Sequence, residues 1–335
     1  MARAASSLRR EANRTLTVPL YPHPQALINN LQEYVKEELP VSIITGFNGS
    51  IGCFAGLTVT TLTTILSLAL TMTAANAADS KYIYQFTYQA GSVEAEVSIN
   101  GVPIVLDKIG YSGTGSAPLN IWLKPEDNVL TVKLKGLPKS KPGDSSHFKM
   151  FIARAEAGQY NDEGERIVEF DWDSDSSKEK LPVEKKFDLK VKPPYTLELW
   201  TKADVLKLDA DTEKAARAYL KAVSDAYVKA DSGKIAEYNE FSLNDFSRAN
   251  YQEISSLAQS KKDLKEFFGM LKEQKAKFAP INAAKAKLQL VADGRLIMVT
   301  DKDGKPPLVA KSADGGEFIN PIYLGRVGGK WVVAR

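Results

Sequence analysis

The sequence predicts a β-rich chain with two folded parts: an all-β part, an antiparallel β-sandwich, and then an α+β domain with helices on a curved antiparallel sheet. Short alternating segments fill residues 81–200, helical spacing begins after 209, and short strands return after 285. This order is typical of all-β and α+β layouts. We divide the chain into an N-terminal extension with a signal peptide (1–77), a β-sandwich domain (78–203) and an α+β domain (204–335).

The first part of the chain contains a long stretch, residues 39–78, that carries no charged side chain. Its apolar core, LTVTTLTTILSLALTMT, is followed by Ala75-Asn76-Ala77, a small-residue pattern that signal peptidase accepts. The pattern predicts cleavage near Ala77 and a periplasmic or secreted protein that meets the membrane only during export. A retained membrane anchor and a buried core helix are the alternatives. Since Lys36 is the nearest basic residue before the apolar core, we expect translation to start downstream of Met1.

The predicted sandwich begins with two alternating segments, YIYQFTY and VEAEVSI, each with apolar side chains on one face. Asn100-Gly101 follows them and predicts a hairpin, because a type I′ turn needs positive φ at both central residues. Gly, Pro, Ser and Asp are frequent between the later segments, as expected for loops. The further predicted strands are VPIVL, LNIWL, NVLTVKL, FKMFIARA, RIVEF, KKFDLKV and YTLELW.

The α+β part is predicted to begin with one long amphipathic helix in DADTEKAARAYLKAVSDAYVKAD, which opens with capping residues. A short helix around 234–238 and a third around 263–278 follow. Strands then return, with turns at Asp293-Gly294 and Gly328-Gly329. The predicted strands of this meander are KAKLQLVADG, RLIMVTDKDG, PPLVAK, EFINPIYLGRV and GKWVVAR.

Residues 209–335 resemble the NTF2-like (cystatin-like cone) superfamily. The resemblance depends on the first helix, with AYLKAVSDAYVKAD, and on the closing YLGRVGGKWVVAR, in which a Gly-rich turn precedes a Trp-bearing last strand. It implies a cone that can hold a small ligand or an acid/base site. The residues that could line such a pocket are Tyr219, Asp225, Tyr238 and Tyr251, with Glu237, Glu240 and Asp245 nearby. Alternatively, these tyrosines pack in the core and the acids are solvated.

Composition excludes some classes of partner. The chain has 44 basic and 41 acidic residues among 335, and its formal charge of +3 is spread along the sequence. A nucleic-acid reader normally shows a concentrated basic footprint, so no nucleic-acid partner is expected. Cys53 is the only cysteine in the sequence, which excludes an intramolecular disulfide.

No recognisable motif points to catalysis, a metal or a cofactor. His147 stands beside Asp144 and Ser145, but a catalytic triad is built from separated positions that meet in space. Asp171, Asp173 and Asp175 alternate as in a calcium loop, yet the turn glycine and the bidentate glutamate of that motif are missing. We therefore expect no catalytic residue, no metal and no cofactor; a weak calcium site in this acidic loop stays open.

These observations favour a non-catalytic protein that acts by contact with another protein. A two-domain exported protein of this kind looks like the periplasmic immunity proteins that neutralise secreted antibacterial effectors such as phospholipases. Because Tyr, Trp and Arg dominate interface energetics, we expect Tyr111, Tyr160 and Trp172 to contact the partner. The alternative is a small-ligand-binding or enzymatic NTF2-like domain.

Overall fold

The computed structural model describes residues 81–107, 113–137, 146–159, 164–313 and 316–335. Within them the chain is a β-rich α+β fold with fifteen strands, in four antiparallel sheets, and four α-helices. The predicted extension and signal peptide, 1–77, lie outside the described residues, as do Tyr111 and Tyr160.

Eight strands come first. They are β1 (Tyr82–Gly91), β2 (Val93–Ile99), β3 (Val102–Asp107), β4 (Gly113–Pro118), β5 (Asn128–Gly136), β6 (His147–Glu156), β7 (Glu165–Asp173) and β8 (Val183–Leu189). They form two four-stranded sheets, in the orders β4-β1-β6-β7 and β3-β2-β5-β8. A 3₁₀ helix, Asn120–Trp122, lies between β4 and β5.

Four helices and seven short strands follow. The helices are α1 (Glu198–Lys202), α2 (Ala210–Val228), α3 (Ser232–Ala249) and α4 (Leu257–Glu273). The strands are β9 (Lys277–Phe278), β10 (Lys287–Val291), β11 (Leu296–Thr300), β12 (Leu308–Lys311), β13 (Glu317–Asn320), β14 (Ile322–Val327) and β15 (Lys330–Val333). They form two sheets, β10-β11-β14-β15 and β13-β12-β9.

Two hairpin turns confirm the sequence prediction. Asn100 and Gly101 have φ of 51° and 75°, and Gly328 and Gly329 have φ of 55° and 80°. Each pair joins strands that are separated by only two residues. Positive φ at both central positions is the backbone of a type I′ turn, whose twist matches that of the flanking strands.

Several predicted elements differ from the structure. The helix predicted around 263–278 spans Leu257–Glu273, and Lys277–Phe278 is a strand; the predicted strand EFINPIYLGRV is two strands in different sheets. LNIWL forms the buried 3₁₀ helix instead of a strand, and YTLELW ends in the short helix α1. The short helix predicted at 234–238 is part of a helix that extends to Ala249. The sequence did not reveal its length because the buried face mixes Ser242, Asp245 and Ser247 with apolar residues, which hides the helical period. GTGSAP, where the sequence predicts no strand, forms the edge strand β4. There Gly115 leaves room for the ring of Tyr88 on the neighbouring strand.

Two apolar cores stabilise the fold. One lies between the helices and the C-terminal strands, and it contains Leu220, Val223, Ile235, Phe267 and Leu324. The other contains the buried side chains of the first eight strands and continues, without a break, into Phe241, Phe246, Leu296, Met298 and Tyr323 of the second part. The two parts of the chain therefore share one core at their junction.

Candidate functional site

The junction is organised around Asp245, a fully buried carboxylate on α3. Its Oδ1 accepts a hydrogen bond from the backbone N–H of Glu198 at 2.7 Å, and its Oδ2 accepts one from that of Leu199 at 3.0 Å. These are the first two residues of α1, whose preceding residue Leu197 offers no capping side chain. Asp245 therefore caps α1 from a helix that lies 46 residues further along the chain.

Arg335 supplies the opposite charge. Its Nη2 lies 3.2 Å from Asp245 Oδ2 and donates to the carbonyl of Ile121 at 2.8 Å, while its guanidinium lies over the ring of Trp122 at 5.3 Å. Burial lowers the pKa of Arg335, and the carboxylate of Asp245 opposes that shift. The pair connects α3 to the 3₁₀ helix of the first part, so the two parts are joined by charge as well as by apolar packing.

Asn120 forms a second set of polar contacts at the junction. Its Oδ1 accepts from the N–H of Tyr84 at 2.7 Å, and its Nδ2 donates to the carbonyls of Tyr82 at 2.8 Å and Ala249 at 3.0 Å. The hydroxyl of Tyr195 donates to the Asn120 carbonyl at 2.8 Å. Each polar atom of the buried amide therefore has a partner, and this avoids the free energy cost of burying an unsatisfied polar group.

Aromatic and cationic side chains reach the surface directly above this junction. The Tyr251 hydroxyl donates to the Tyr82 carbonyl at 3.1 Å, and the Tyr251 ring lies 5.6 Å from that of Tyr195 in an edge arrangement. Arg154 covers the Tyr82 ring at 4.7 Å, and Lys81 lies 5.8 Å from the Tyr251 ring centroid. We call Lys81, Tyr82, Arg154, Tyr251 and Ile254 the junction surface.

The backbone of Tyr251 is left-handed, with φ of 57°. Tyr251 follows α3, where its N–H donates to the carbonyl of Arg248 and the N–H of Gln252 donates to that of Ser247. This is the Schellman pattern, whose left-handed position is usually glycine because a side chain there is strained. The ring contacts and the hydroxyl hydrogen bond described above oppose that strain and hold the ring in one place.

Burial also affects the phenols at this site. It raises the pKa of Tyr251 to about 12, although part of this residue stays exposed. Burial and the neighbouring Tyr251 raise the pKa of Tyr195 as well. Both phenols are therefore neutral hydrogen-bond donors at physiological pH. Ile254, three residues after Tyr251, is 50% exposed and adds an apolar side chain to the same loop.

Of the residues predicted to line a pocket, the structure brings two together. Tyr219 on α2 and Tyr238 on α3 have ring centroids 5.3 Å apart, and Tyr219 stacks on Trp331 of β15 at 6.4 Å. All three rings are partly buried and pack against the core between the helices and the sheets. Tyr251 belongs instead to the junction surface.

Asp225 does not join the tyrosine pair. It lies on α2, but its Oδ2 contacts Lys221 Nζ at 2.7 Å, one helical turn earlier, and that interaction lowers its pKa. Nearly half of the Asp225 side chain is exposed. The structure therefore places Asp225 in an i, i+4 ion pair at the surface of α2, and its expected place in a pocket stays a prediction.

Trp172 is not an exposed contact residue, contrary to the sequence-based expectation. It lies on β7 with 2% of its surface exposed, and its Nε1 donates to the carbonyl of Glu179 at 2.9 Å. The alternation of β7 directs this ring into the core, where its polar atom finds a backbone partner. The two other aromatic residues predicted to contact a partner, Tyr111 and Tyr160, lie outside the described residues.

The carboxylates of Asp171 and Asp173, at the end of β7, interact with groups close to them in the fold. Asp173 Oδ1 accepts from the N–H groups of Asp175 and Ser176, and these bonds lower its pKa. Asp171 pairs with Lys149 across the sheet at 3.0 Å. No group of three or more His, Cys, Asp or Glu side chains that could hold a metal occurs among the described residues.

The comparisons with known proteins return no relative. No protein-family model, no curated protein and no solved structure matches this chain. Within the part of the chain that the structure describes, no helix has both the length and the hydropathy needed to cross a bilayer.

Proposed function

We propose that the protein is an exported, non-catalytic binding protein that acts by contact with another protein through the junction surface. The observation that carries the proposal is the fixed position of Tyr82 and Tyr251. The Tyr82 ring packs against the shared core, and the Tyr251 ring lies edge-on to Tyr195, which packs against the same core. Both rings have a cation beside them, and both keep exposed area.

The chemistry of these side chains fits a protein partner. Tyr and Arg are enriched among the interface residues whose truncation costs about 2 kcal/mol or more. A tyrosine presents a large amphipathic area while it loses little side-chain freedom. The Tyr251 hydroxyl is already bound to the Tyr82 carbonyl, so the ring is ordered before any partner arrives. Such preorganisation lowers the entropic cost of association.

Export is part of the proposal, and it is supported by the uncharged run that ends at Ala75-Asn76-Ala77. Cleavage there would also remove Cys53, so that the mature chain has no cysteine to oxidise outside the cytoplasm. N-terminal sequencing of the exported protein tests this step. A first residue near Ala78 supports it, and a mature chain that begins far upstream of Ala77 contradicts it.

The partner we propose is a secreted antibacterial effector, for example a phospholipase, which the protein neutralises as an immunity protein. A surface of aromatic rings held by ring contacts and a hydrogen bond suits the tight, specific contact that such neutralisation needs. The purified chain should then inhibit the purified effector at close to equimolar amounts. Inhibition that requires a large excess of the chain would argue against this role.

We also propose the finer architecture, in which the first eight strands form an antiparallel sandwich and residues 204–335 form an NTF2-like domain. Phe170 of β7 and Phe187 of β8 support the sandwich, because their rings, one from each sheet, are 5.8 Å apart. The order of helices before the strands supports the NTF2-like assignment. A crystal structure tests both, and first sheets that do not face each other would contradict the sandwich.

The binding proposal is tested by affinity capture with matched surface variants of the full chain. Ile254→Asp changes an exposed side chain of the junction surface, and Val228→Asp changes one that is 44% exposed at the end of α2. A protein captured by the wild type should be retained by Val228→Asp and lost, by about tenfold or more, with Ile254→Asp. Equal retention by both variants would contradict the proposed surface.

A further inference from the structure

Strand β4 (Gly113–Pro118) is an edge strand that carries no charged side chain. The four sheets of the described residues have two edge strands each, and the other seven edge strands all carry at least one Asp, Glu, Lys or Arg. Proteins use such charges to prevent a further strand from pairing with an exposed edge. Among the described strands, β4 is therefore the one edge that lacks this protection.

The hydrogen bonds between β4 and β1 show which backbone groups of β4 point outward. The N–H of Leu119, the residue after the strand, donates to the carbonyl of Tyr84 on β1 at 2.8 Å. In an antiparallel pair every second residue bonds to the neighbouring strand, so Thr114, Ser116 and Pro118 direct their backbone groups away from β1. No hydrogen bond from the described residues reaches these outward groups. Thr114 and Ser116 are also exposed, so their backbone can pair with a further strand.

The outward groups of β4 are complementary to those of a second copy of the same strand. In an antiparallel arrangement with a two-fold axis at Gly115, Thr114 of each copy lies opposite Ser116 of the other. Each of these pairs exchanges two N–H···O=C hydrogen bonds. We propose that two copies of the chain form a dimer through this pairing, which joins their first sheets into one continuous sheet. The dimer does not depend on the proposed function, because β4 contains no residue of the junction surface.

Pro118 favours the register centred on Gly115. Proline has no backbone N–H, and Pro118 occupies an outward position of the edge. A register centred on Ser116 would set Thr114 opposite Pro118 of the second copy and leave the Thr114 carbonyl without a donor. In the register centred on Gly115, Thr114 and Ser116 use both of their backbone groups, so none of these groups is left unsatisfied.

The side chains of β4 are compatible with the same register. Ala117 lies opposite the buried Phe86 of β1, so the even-numbered residues of β4 face the solvent side of the sheet. In the dimer the hydroxyls of Thr114 and Ser116 lie beside each other across the new strand pair, and cross-strand Thr–Ser pairs stabilise sheets. At the other edge of this sheet, a two-fold pairing of β7 centred on Glu169 would set two glutamates opposite each other, which is destabilising.

Analytical sedimentation of the purified full chain tests the proposal. Because a strand of six residues forms a small interface, we expect a weak dimer whose fraction rises between micromolar and millimolar protein concentrations. Ser116→Pro removes an outward N–H from each copy and should weaken the dimer by at least about tenfold. The control Ser116→Thr keeps both that N–H and a hydroxyl, and it should dimerise like the wild type. A wild type that stays monomeric, or equal dimerisation by Ser116→Pro, would overturn the proposal.

Amide hydrogen exchange locates the contact on the chain. The N–H groups of Thr114 and Ser116 should exchange more slowly as the protein concentration rises, because they are hydrogen-bonded only in the dimer. A dimer that leaves both amides unprotected would overturn the pairing of β4. Protection that appears only when a different protein is present would assign the edge to that protein and would also overturn the proposal.

Two further variants keep the outcome clear. If circular dichroism shows that Ser116→Pro does not fold, Thr114→Lys adds a charge to the edge without changing its backbone groups, and it should weaken the dimer as strongly. Ile254→Asp should dimerise like the wild type. A loss of the dimer in Ile254→Asp would assign the contact to the junction surface and overturn this proposal, whereas failure of the β4 pairing leaves the proposed function intact.

Discussion

The carboxylate of Asp245 lies 3.2 Å from Nη2 of Arg335, and both side chains are buried at the junction of the two parts of the chain. The same carboxylate accepts the first two N–H groups of α1. One side chain thus neutralises a buried cation and caps the helix that leads from the first part into the second. The pair also reaches Tyr82 through the 3₁₀ helix, because Arg335 donates to the carbonyl of Ile121 and the adjacent Asn120 donates to the carbonyl of Tyr82.

Asp245→Asn should destabilise the protein more than Arg335→Met. The asparagine leaves a buried guanidinium without a counter-charge and removes one of the two acceptors for α1, for which we expect a loss of about 3–5 kcal/mol in the free energy of unfolding. The methionine leaves Asp245 with both N–H donors and with Arg248 at 3.8 Å, so a loss of about 1–3 kcal/mol is expected. Urea unfolding of both variants measures the order, and the reverse order would refute the assigned role of Asp245.

Glycine should have opposite effects at two left-handed helix ends. Lys275 follows α4 with φ of 53° and is exposed, so Lys275→Gly relieves strain and should stabilise the protein by about 0.5–1 kcal/mol. Tyr251→Gly relieves the same strain but removes the contact with Tyr195 and the hydrogen bond to Tyr82. Because each of these is worth about 0.5–1.5 kcal/mol, a net loss is expected. Thermal unfolding compares them; stabilisation by Tyr251→Gly would mean that its ring contributes nothing.

Gly115→Ala should weaken the edge of the first sheet. A Cβ at this position would lie 2.6 Å from the ring of Tyr88, its partner on β1, so the ring must move. Forcing extra volume into a packed site costs about 1–3 kcal/mol. The matched control is Gly101→Asn, which places a residue tolerant of positive φ where nothing lies within 4 Å. A loss of stability in the control as large as that in Gly115→Ala would contradict the steric explanation.

Stability should fall as the pH rises from about 10 to about 12. Burial raises the pKa of Tyr227 and of Tyr251 to about 12, whereas an unfolded tyrosine titrates near 10. In this window the unfolded state binds fewer protons than the folded state, so the free energy of unfolding decreases with pH. Below about pH 10 these two phenols cause no dependence, because both states hold the proton.

The variant Tyr251→Phe separates this phenol from the other alkaline groups. Its free energy of unfolding should fall less steeply between pH 10 and 12 than that of the wild type, because one of the phenols whose pKa is raised in the folded state is gone. Urea unfolding at several alkaline pH values provides both slopes. Identical slopes would show that the Tyr251 phenol has the same pKa in the folded and unfolded chains.

The sequence predicted correctly those strands, turns and helices that depend only on residues close together in the chain. The alternation of VEAEVSI predicted β2, and Asn100-Gly101 predicted a turn, which has positive φ at both residues. The first long helix was also predicted, since Asp209 caps it and its buried face has helical spacing. These features follow from side-chain period and turn chemistry, which a single sequence displays directly.

The junction depends on partners that are far apart in sequence. In the sequence, Asp245 is one of several carboxylates on or after the helices, and nothing distinguishes it from its solvated neighbours. Its partners, Glu198 and Arg335, are separated from it by 47 and 90 residues. Trp172 was expected to contact a partner because Trp is frequent at interfaces, whereas the alternation of β7 buries its ring.

Site-specific photo-cross-linking in cells that express the full chain tests the central claim most directly. A photoreactive phenylalanine analogue replaces Ile254 on the junction surface in one variant and Val228, an exposed aliphatic residue of α2, in another. The proposed function predicts one discrete cross-linked protein from position 254, absent from position 228 and absent without light. A discrete partner from position 228 alone, or the absence of any product from position 254 while partner protein is present, would contradict it.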